Sequence, residues 1–237
     1  MQQEKSSDES PMDRADPGRG SRGGRDWVTL GILGVLALSV VSLVIMALRA
    51  IPEAAPDPGE HARVLVTPIE IPEFSLMDHR GELFDRSRLE GHWSLLFFGY
   101  TSCPDICPFV LQELAKVKRG FDDRESPVRE MPDVVFISVD PQRDSEDRLA
   151  EYVEFFDPSF TGVSGPDSEL QELTRSIGAY YEAPSGEAGD SYLVNHASKL
   201  FLIDPSGRFL ALLDDPHDPE EFIDLLAKVQ TRGESKP

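Results

Sequence analysis

Two kinds of apolar pattern divide the chain. From Trp27 to Leu48 no residue is charged and no polar face interrupts the run. At about 1.5 Å per residue these 22 residues reach about 33 Å as a helix, enough to cross a hydrocarbon core of about 30 Å. Later apolar positions come in short groups at the spacings of a folded domain. Trp93-Ser-Leu-Leu-Phe-Phe-Gly-Tyr and Val134-Val-Phe-Ile-Ser-Val are near-continuous apolar runs, which predict strands buried on both faces. Phe74 to Phe84 predicts a short hairpin turning at Arg80-Gly81. Helical spacing appears in Phe109–Val117, in Ser145–Phe156 (Leu149, Tyr152, Val153 and Phe156 on one face) and in Ser168–Ile177 (Leu170, Leu173 and Ile177 inward). Lys199–Asp204, the turn Pro205-Ser-Gly and Arg208–Leu213 predict a strand, turn and strand, and Pro219–Gln230 a last helix. The order predicts an α/β domain with a mixed central sheet. Sites in such sheets lie at the carboxyl ends of central strands, which points to the loop after Tyr100.

The ends differ from this domain. Residues 1–26 are polar, without apolar periodicity, and predict a disordered tail. Residues 27–48 predict a transmembrane anchor, with Trp27 and Arg49 at its edges. The run is too long for the core of a cleaved signal peptide, and Leu48-Arg49-Ala50 is a poor cleavage site. No cysteine near the run's end offers a lipid attachment point. Residues 49–63, with Pro52, Pro56 and Pro58, predict an extended linker. The globular domain is expected over 64–230, and 231–237 as a flexible end.

Lys5, Arg14, Arg19, Arg22 and Arg25 precede the span, and only Arg49 and Arg63 follow closely. That asymmetry predicts a cytoplasmic amino terminus and an exported domain. Acidic residues in the tail argue against a mitochondrial transit peptide, so a bacterial cytoplasmic membrane is the expected setting. The formal net charge of −20 argues against nucleic acid as a partner and suits basic surfaces or cations, or solubility alone.

Thr101-Ser-Cys-Pro-Asp-Ile-Cys-Pro contains both cysteines of the chain. A structural disulfide is one reading, although so short a closed loop constrains the unfolded chain little. The other is a reactive pair at a helix start, where dipole and free amides favour the thiolate. If that first turn is helical, Cys103 and Cys107 share a face, and two thiolates form a soft donor set suited to Cu(I). A structural zinc site would need two further ligands. Of the five histidines, His61 falls in the linker, His79 and His92 in turn-like surface segments, and His217 among acids. His196 in Val194-Asn-His-Ala-Ser leads straight into a core strand, where a ligand and a hydrogen-bonded structural histidine remain equally open. Asp140 ends the second buried strand, either as a partner tuning a thiol or histidine or as a cap for the following turn. Asp105 reads as a helix-start acid, and Tyr180 and Tyr181 as packing residues.

Phe97-Phe-Gly-Tyr-Thr-Ser-Cys-Pro-Asp-Ile-Cys-Pro, Phe136-Ile-Ser-Val-Asp-Pro-Gln-Arg-Asp and Val194-Asn-His-Ala resemble the Sco/SenC family of copper chaperones, which assist assembly of the binuclear copper site of cytochrome c oxidase. The resemblance spans about Ile71 to Leu213. It implies a thioredoxin-like fold, a single amino-terminal anchor, and copper held by two cysteines and one histidine. Matched onto this chain these are Cys103, Cys107 and His196, and Asp140 matches the aspartate of the family's Asp-Pro-x-Arg-Asp block. Asn195 stands where the family often has aspartate. The implied cargo is copper, as Cu(I), Cu(II) or both, and the implied partners are cytochrome c oxidase subunit II and other copper chaperones. The competing expectation is a thiol–disulfide oxidoreductase, with Cys103 attacking and Cys107 resolving, that keeps the oxidase's copper-ligand cysteines reduced. Against it, redox proteins of this fold usually place two residues between the cysteines, and the chain has three.

Overall fold

The computed structural model describes residues 23–49, 59–122, 130–179, 181–182, 195–196 and 199–234. The chain divides into two compact units, Met1–Ala54 and Ala55–Pro237. In the first, helix α1 (Gly23–Arg49) takes in Gly23 to Asp26, which the sequence had assigned to the tail. Its described apolar side chains, among them Leu30, Leu38, Leu43 and Met46, are exposed. Counted over the described residues, no helix is long and apolar enough to cross a membrane. Side chains along α1 are described only between Leu30 and Met46, short of the roughly 20 residues a span needs. The anchor at 27–48 therefore rests on the sequence pattern.

The second unit contains strands β1 (Ala62–Glu70), β2 (Ser75–Asp78), β3 (Leu83–Asp85), β4 (Ser94–Gly99), β5 (Asp133–Ser138), β6 (Thr161–Ser164), β7 (Tyr181–Glu182), β8 (Asn195–His196), β9 (Leu200–Ile203) and β10 (Arg208–Leu213). The helices are α2 (Ile106–Asp122), α3 (Glu146–Phe156), α4 (Asp167–Ile177) and α5 (Pro219–Glu234), with a short 3-10 turn at Arg86–Leu89. Eight strands form one sheet in the order β1-β10-β9-β4-β5-β6-β2-β3, and β7 pairs with β8 in a separate ribbon. β4 lies parallel to β5 and antiparallel to β9, so the sheet is mixed.

Every residue of β4 is buried, as expected of a central strand covered on both faces. Phe97 packs on Phe136 of β5, and Phe98 meets Phe201 of β9 edge to face at 5.4 Å between ring centres. The hairpin, both central strands and the final strand–turn–strand fall where the apolar pattern puts them. Ser145 caps α3 by accepting a hydrogen bond from the Arg148 amide, and Leu149 and Val153 are buried on its inner face. On α4, Leu170, Leu173 and Ile177 are buried as expected.

Three elements depart from expectation. β1 begins at Ala62, inside the stretch read as linker, and pairs with β10 across a bulge between Val64 and Ile69. Pro68 and that irregular register hide it as a strand, and both are features that edge strands tolerate. β6 went unrecognised because four residues containing Gly162 carry no alternation. α5 continues past Gln230 to Glu234, with the Thr231 hydroxyl donating to the Ala227 carbonyl at 2.7 Å. Residues 231–234 of the expected flexible end are thus helical.

Candidate functional site

The central parallel pair delivers two loops to one place. β4 and β5 run in register up to Gly99 opposite Ser138, and the Val139 amide donates to the Gly99 carbonyl at 2.9 Å. The cysteine loop leaves β4 immediately afterwards, beside the Asp140–Asp144 turn that leaves β5. β9 begins with Leu200 opposite Phe97, so the segment preceding it enters the sheet at the same end.

Cys103 and Cys107 are both buried, and no disulfide joins them. The expected shared helical turn is not how they meet. α2 starts only at Ile106; Cys103 lies in the preceding turn, where its amide donates to the Tyr100 carbonyl at 3.1 Å. The pair nevertheless interacts through its side chains. Hydrogen bonding to Cys103 pushes the Cys107 thiol up, and burial, the Cys103 charge and the Asp144 carboxylate push the same way. The partner thiol and burial therefore favour the protonated form of Cys107, the thiol expected to resolve rather than attack.

Gly99 makes the pair's position possible. A Cβ there would stand 2.7 Å from Cys107 Sγ and 2.6 Å from Cε2 of Phe136. Any larger residue would push the sulfur or the ring aside.

Asp140 is buried, accepts a hydrogen bond from Arg143 Nε, and receives the Arg143 and Asp144 amides on its carbonyl at 3.2 and 3.0 Å. Arg143 in turn stacks over Tyr100, its guanidinium carbon 5.5 Å from the ring centre. Asp140 thus closes its own turn and, through Arg143, braces the residue that begins the cysteine loop. Asp144, which sequence reasoning left without a role, ties the two loops together. Its carboxylate accepts from the Thr101 amide (2.9 Å), the Thr101 hydroxyl (2.6 Å) and the Ser138 hydroxyl (2.6 Å). Arg148 of α3 completes this tether, donating to Thr101 Oγ1 at 2.6 Å and Ser102 Oγ at 3.0 Å. The spacing of Asp144 and Arg148, four apart across a helix start, was the available signal for this link.

The side chain of His196 lies outside the described residues, as do Tyr180 and the side chain of Asn195. The His196 backbone belongs to the β7–β8 ribbon, opposite Tyr181. The other histidines are placed elsewhere. His79, expected at the surface, is buried, and its Nδ1 accepts the Gly162 amide at 3.0 Å. It pins the β2–β3 hairpin to β6, a long-range contact invisible in a local pattern. His61 faces Asp214, His92 faces Asp133 and His217 faces Asp215, each at 3.4 Å. Among the described residues no group of three or more histidine, cysteine or carboxylate side chains is placed to hold a metal ion. Asp105 is exposed just before α2, and its carbonyl accepts the Phe109 amide at 3.3 Å. Tyr181 is half-buried against the core.

A mixed sheet with helices against it, and a dithiol loop between a central strand and a helix start, defines the thioredoxin-like class. A sequence model described as SCO1/SenC matches residues 66–231. The SCO2-like protein of Rickettsia conorii is 34% identical over 155 residues, covering 65% of this chain and 74% of the relative. The mitochondrial SCO2 homologue of Bos taurus is 35% identical over 152 residues, covering 64% of this chain but only 56% of its own length. Among solved structures, Arabidopsis thaliana ScoI with copper bound is 32% identical with a TM-score of 0.60, covering 68% of this chain and 98% of that one. The chain belongs to the SCO1/SenC family.

Proposed function

We propose that this chain is a membrane-anchored copper chaperone. In this reading Cys103 and Cys107 supply thiolates and His196 an imidazole, and the protein passes its copper to the binuclear copper site of cytochrome c oxidase, through subunit II. The observation that carries the proposal is the pair of buried, interacting thiols, not joined by a disulfide, at the head of α2. Two sulfurs favour a soft cation such as Cu(I), and they are too few for an ordinary structural zinc site. The solved relative with copper bound supports copper as the cargo. Support for His196 comes from the family resemblance and from topology. Its strand precedes β9, which enters the sheet at the end from which the cysteine loop leaves. The three groups would come from three separate elements, so the site forms only in the folded protein.

Within this reading Asp144, Thr101 and Arg148 hold the loop so that both sulfurs stay converged. Both thiols must release their protons for the cation to bind, and an oxidised pair could not take it. The anchor at residues 27–48 keeps the tail of residues 1–26 in the cytoplasm and the domain of residues 64–230 outside, on a bacterial cytoplasmic membrane, with the linker at 49–63 between them. Other copper chaperones would supply the cargo.

The raised Cys107 thiol sustains the second reading, a thiol–disulfide oxidoreductase in which Cys103 attacks and Cys107 resolves. One titration separates the two. Cu(I) is added to the reduced protein and to the Cys103→Ala, Cys107→Ala and His196→Ala variants, against a competing chelator. One-to-one binding weakened in all three variants is the expected result. Binding indifferent to His196→Ala overturns the three-ligand site and leaves disulfide exchange as the activity to assay.

A further inference from the structure

The ribbon that carries His196 has little to hold it in place by itself. β7 and β8 are two residues each, with Tyr181 opposite His196 and Glu182 opposite Asn195. The ribbon is separate from the eight-stranded sheet, and an isolated pair of strands is marginally stable at best in water. It therefore has to be fastened to the domain through side chains. Among the described side chains of the ribbon, that of Tyr181 packs against the hydrophobic core.

The local sequence delivers Tyr181 to that place. α4 ends at Gly178, whose φ of 71° is the left-handed conformation that glycine adopts without a steric cost. The Ala179 amide then donates back to the Thr174 carbonyl at 2.8 Å, and Ala179 is buried. The chain thus turns towards the core two residues before Tyr181. Tyr181 shares a cavity of about 420 Å³ with Gln171 and Thr174 of α4 and with Val139. Val139 directly follows β5, and its amide donates to the Gly99 carbonyl at 2.9 Å, the edge at which the cysteine loop begins. Positions directly opposite each other in an antiparallel pair share one face of the ribbon. Position 196 therefore lies on the face that Tyr181 turns towards the domain.

We propose that Tyr181 is a positioning residue of the copper site: its ring, lodged beside α4 and Val139, fixes the strand that carries His196 at the sheet edge where the two cysteines lie. The role depends on the bulk of the ring and on no change of charge. Two register pairs leave the ribbon free to shift, and a shift of one residue would move position 196 to the opposite face. A ring seated in the domain removes that freedom. This inference rests on the copper-binding reading above and adds to it a side chain that touches no copper.

The test uses the full chain in detergent, comparing wild type with Tyr181→Ala, Tyr181→Phe, His196→Ala and the double variant Tyr181→Ala/His196→Ala. Amide exchange of the metal-free protein reads the ribbon itself. In Tyr181→Ala the amides of Glu182, Asn195 and His196 are expected to exchange about tenfold faster, the loss of a half-buried ring, with those of β9 and β10 unchanged. Cu(I) affinity by chelator competition reads the consequence. Tyr181→Ala should weaken binding, and Tyr181→Phe, which keeps the ring, should restore it. The double variant should bind no more weakly than His196→Ala, because a residue that acts through His196 then has nothing left to position. Unchanged ribbon exchange in Tyr181→Ala overturns the inference while the copper site stands. So does faster exchange spread over the whole domain, or an additive loss in the double variant. Copper binding indifferent to His196→Ala removes the three-ligand reading and this inference together.

Discussion

Single residues at this site act through close contact. Gly99 is the clearest, because a methyl group there would overlap both Cys107 Sγ and the Phe136 ring. Gly99→Ala should destabilise the domain by about 1–3 kcal/mol, the usual range for overpacking a filled core. It should also weaken copper binding, since the Cys107 sulfur is one of the two groups that would have to yield. Urea unfolding and Cu(I) competition on the same variant check both parts, and wild-type behaviour in either would show that the neighbours absorb the methyl. Asp144 works by charge and hydrogen bonding instead. Asp144→Asn keeps the shape but weakens acceptance from Thr101 and Ser138, at an expected loss of about 1–3 kcal/mol. Amide exchange locates the effect: the Thr101 amide should lose protection more than the amides of β9. Uniform loss across the domain would mean that Asp144 is a general stabiliser and not a loop tether.

At the level of elements, legibility followed burial. β4 and β5 could be read because a strand covered on both faces has to be largely apolar along its length. α3 and α4 could be read because one face of each is buried at helical spacing. β1 and β6 could not, being an edge strand interrupted by proline and a four-residue strand whose pairing depends on neighbours distant in the chain. The same logic applies to the site. The cysteines were conspicuous because their spacing is local, whereas the Asp144 tether and the burial of His79 arise only when separate elements meet. Asp214 shows how such meetings set pH dependence. It sits at the end of β10, bonded to Lys199 ahead of β9 at 2.7 Å and facing His61 ahead of β1 at 3.4 Å. Burial pushes its carboxyl up, but Lys199 and then His61 outweigh that and hold it below the usual carboxylate range. A carboxyl lowered on folding contributes stability above its unfolded pKa of about 3.9, and that contribution disappears as pH falls through the folded value. Asp214→Asn should therefore lose little at low pH and most near neutrality, by under about 1 kcal/mol for so exposed a pair. Melting temperatures of both proteins from pH 7 down to strong acid check the sign; a gap that widens on acidification would contradict it.

For the whole molecule, the argument joins a site to a location. The dithiol lies at the carboxyl end of the central strands, where two loops from a parallel pair and the approach to an antiparallel strand converge. That arrangement needs the full sheet, which explains why a local cysteine pair and a histidine far from it in sequence are expected to act together. The net charge of −20 leaves a surface suited to basic partners. The proposed delivery to a membrane enzyme would favour a carrier confined to the same membrane, and the charge-free run 27–48 is the proposed means. The prediction is that the full chain, expressed in bacteria, stays with the membrane fraction through an alkaline carbonate wash, while a chain lacking residues 1–49 is released. Protease added to spheroplasts should cut the full chain within the domain and leave the amino-terminal tail protected, as the excess of arginine and lysine before the span requires. Replacing Arg14, Arg19, Arg22 and Arg25 with serine should reduce that protection by weakening the charge bias. Full release of the intact chain by carbonate would remove the anchor and leave the copper site unaffected. Retention with a protected domain would reverse the orientation and place the site in the cytoplasm, away from the proposed acceptor.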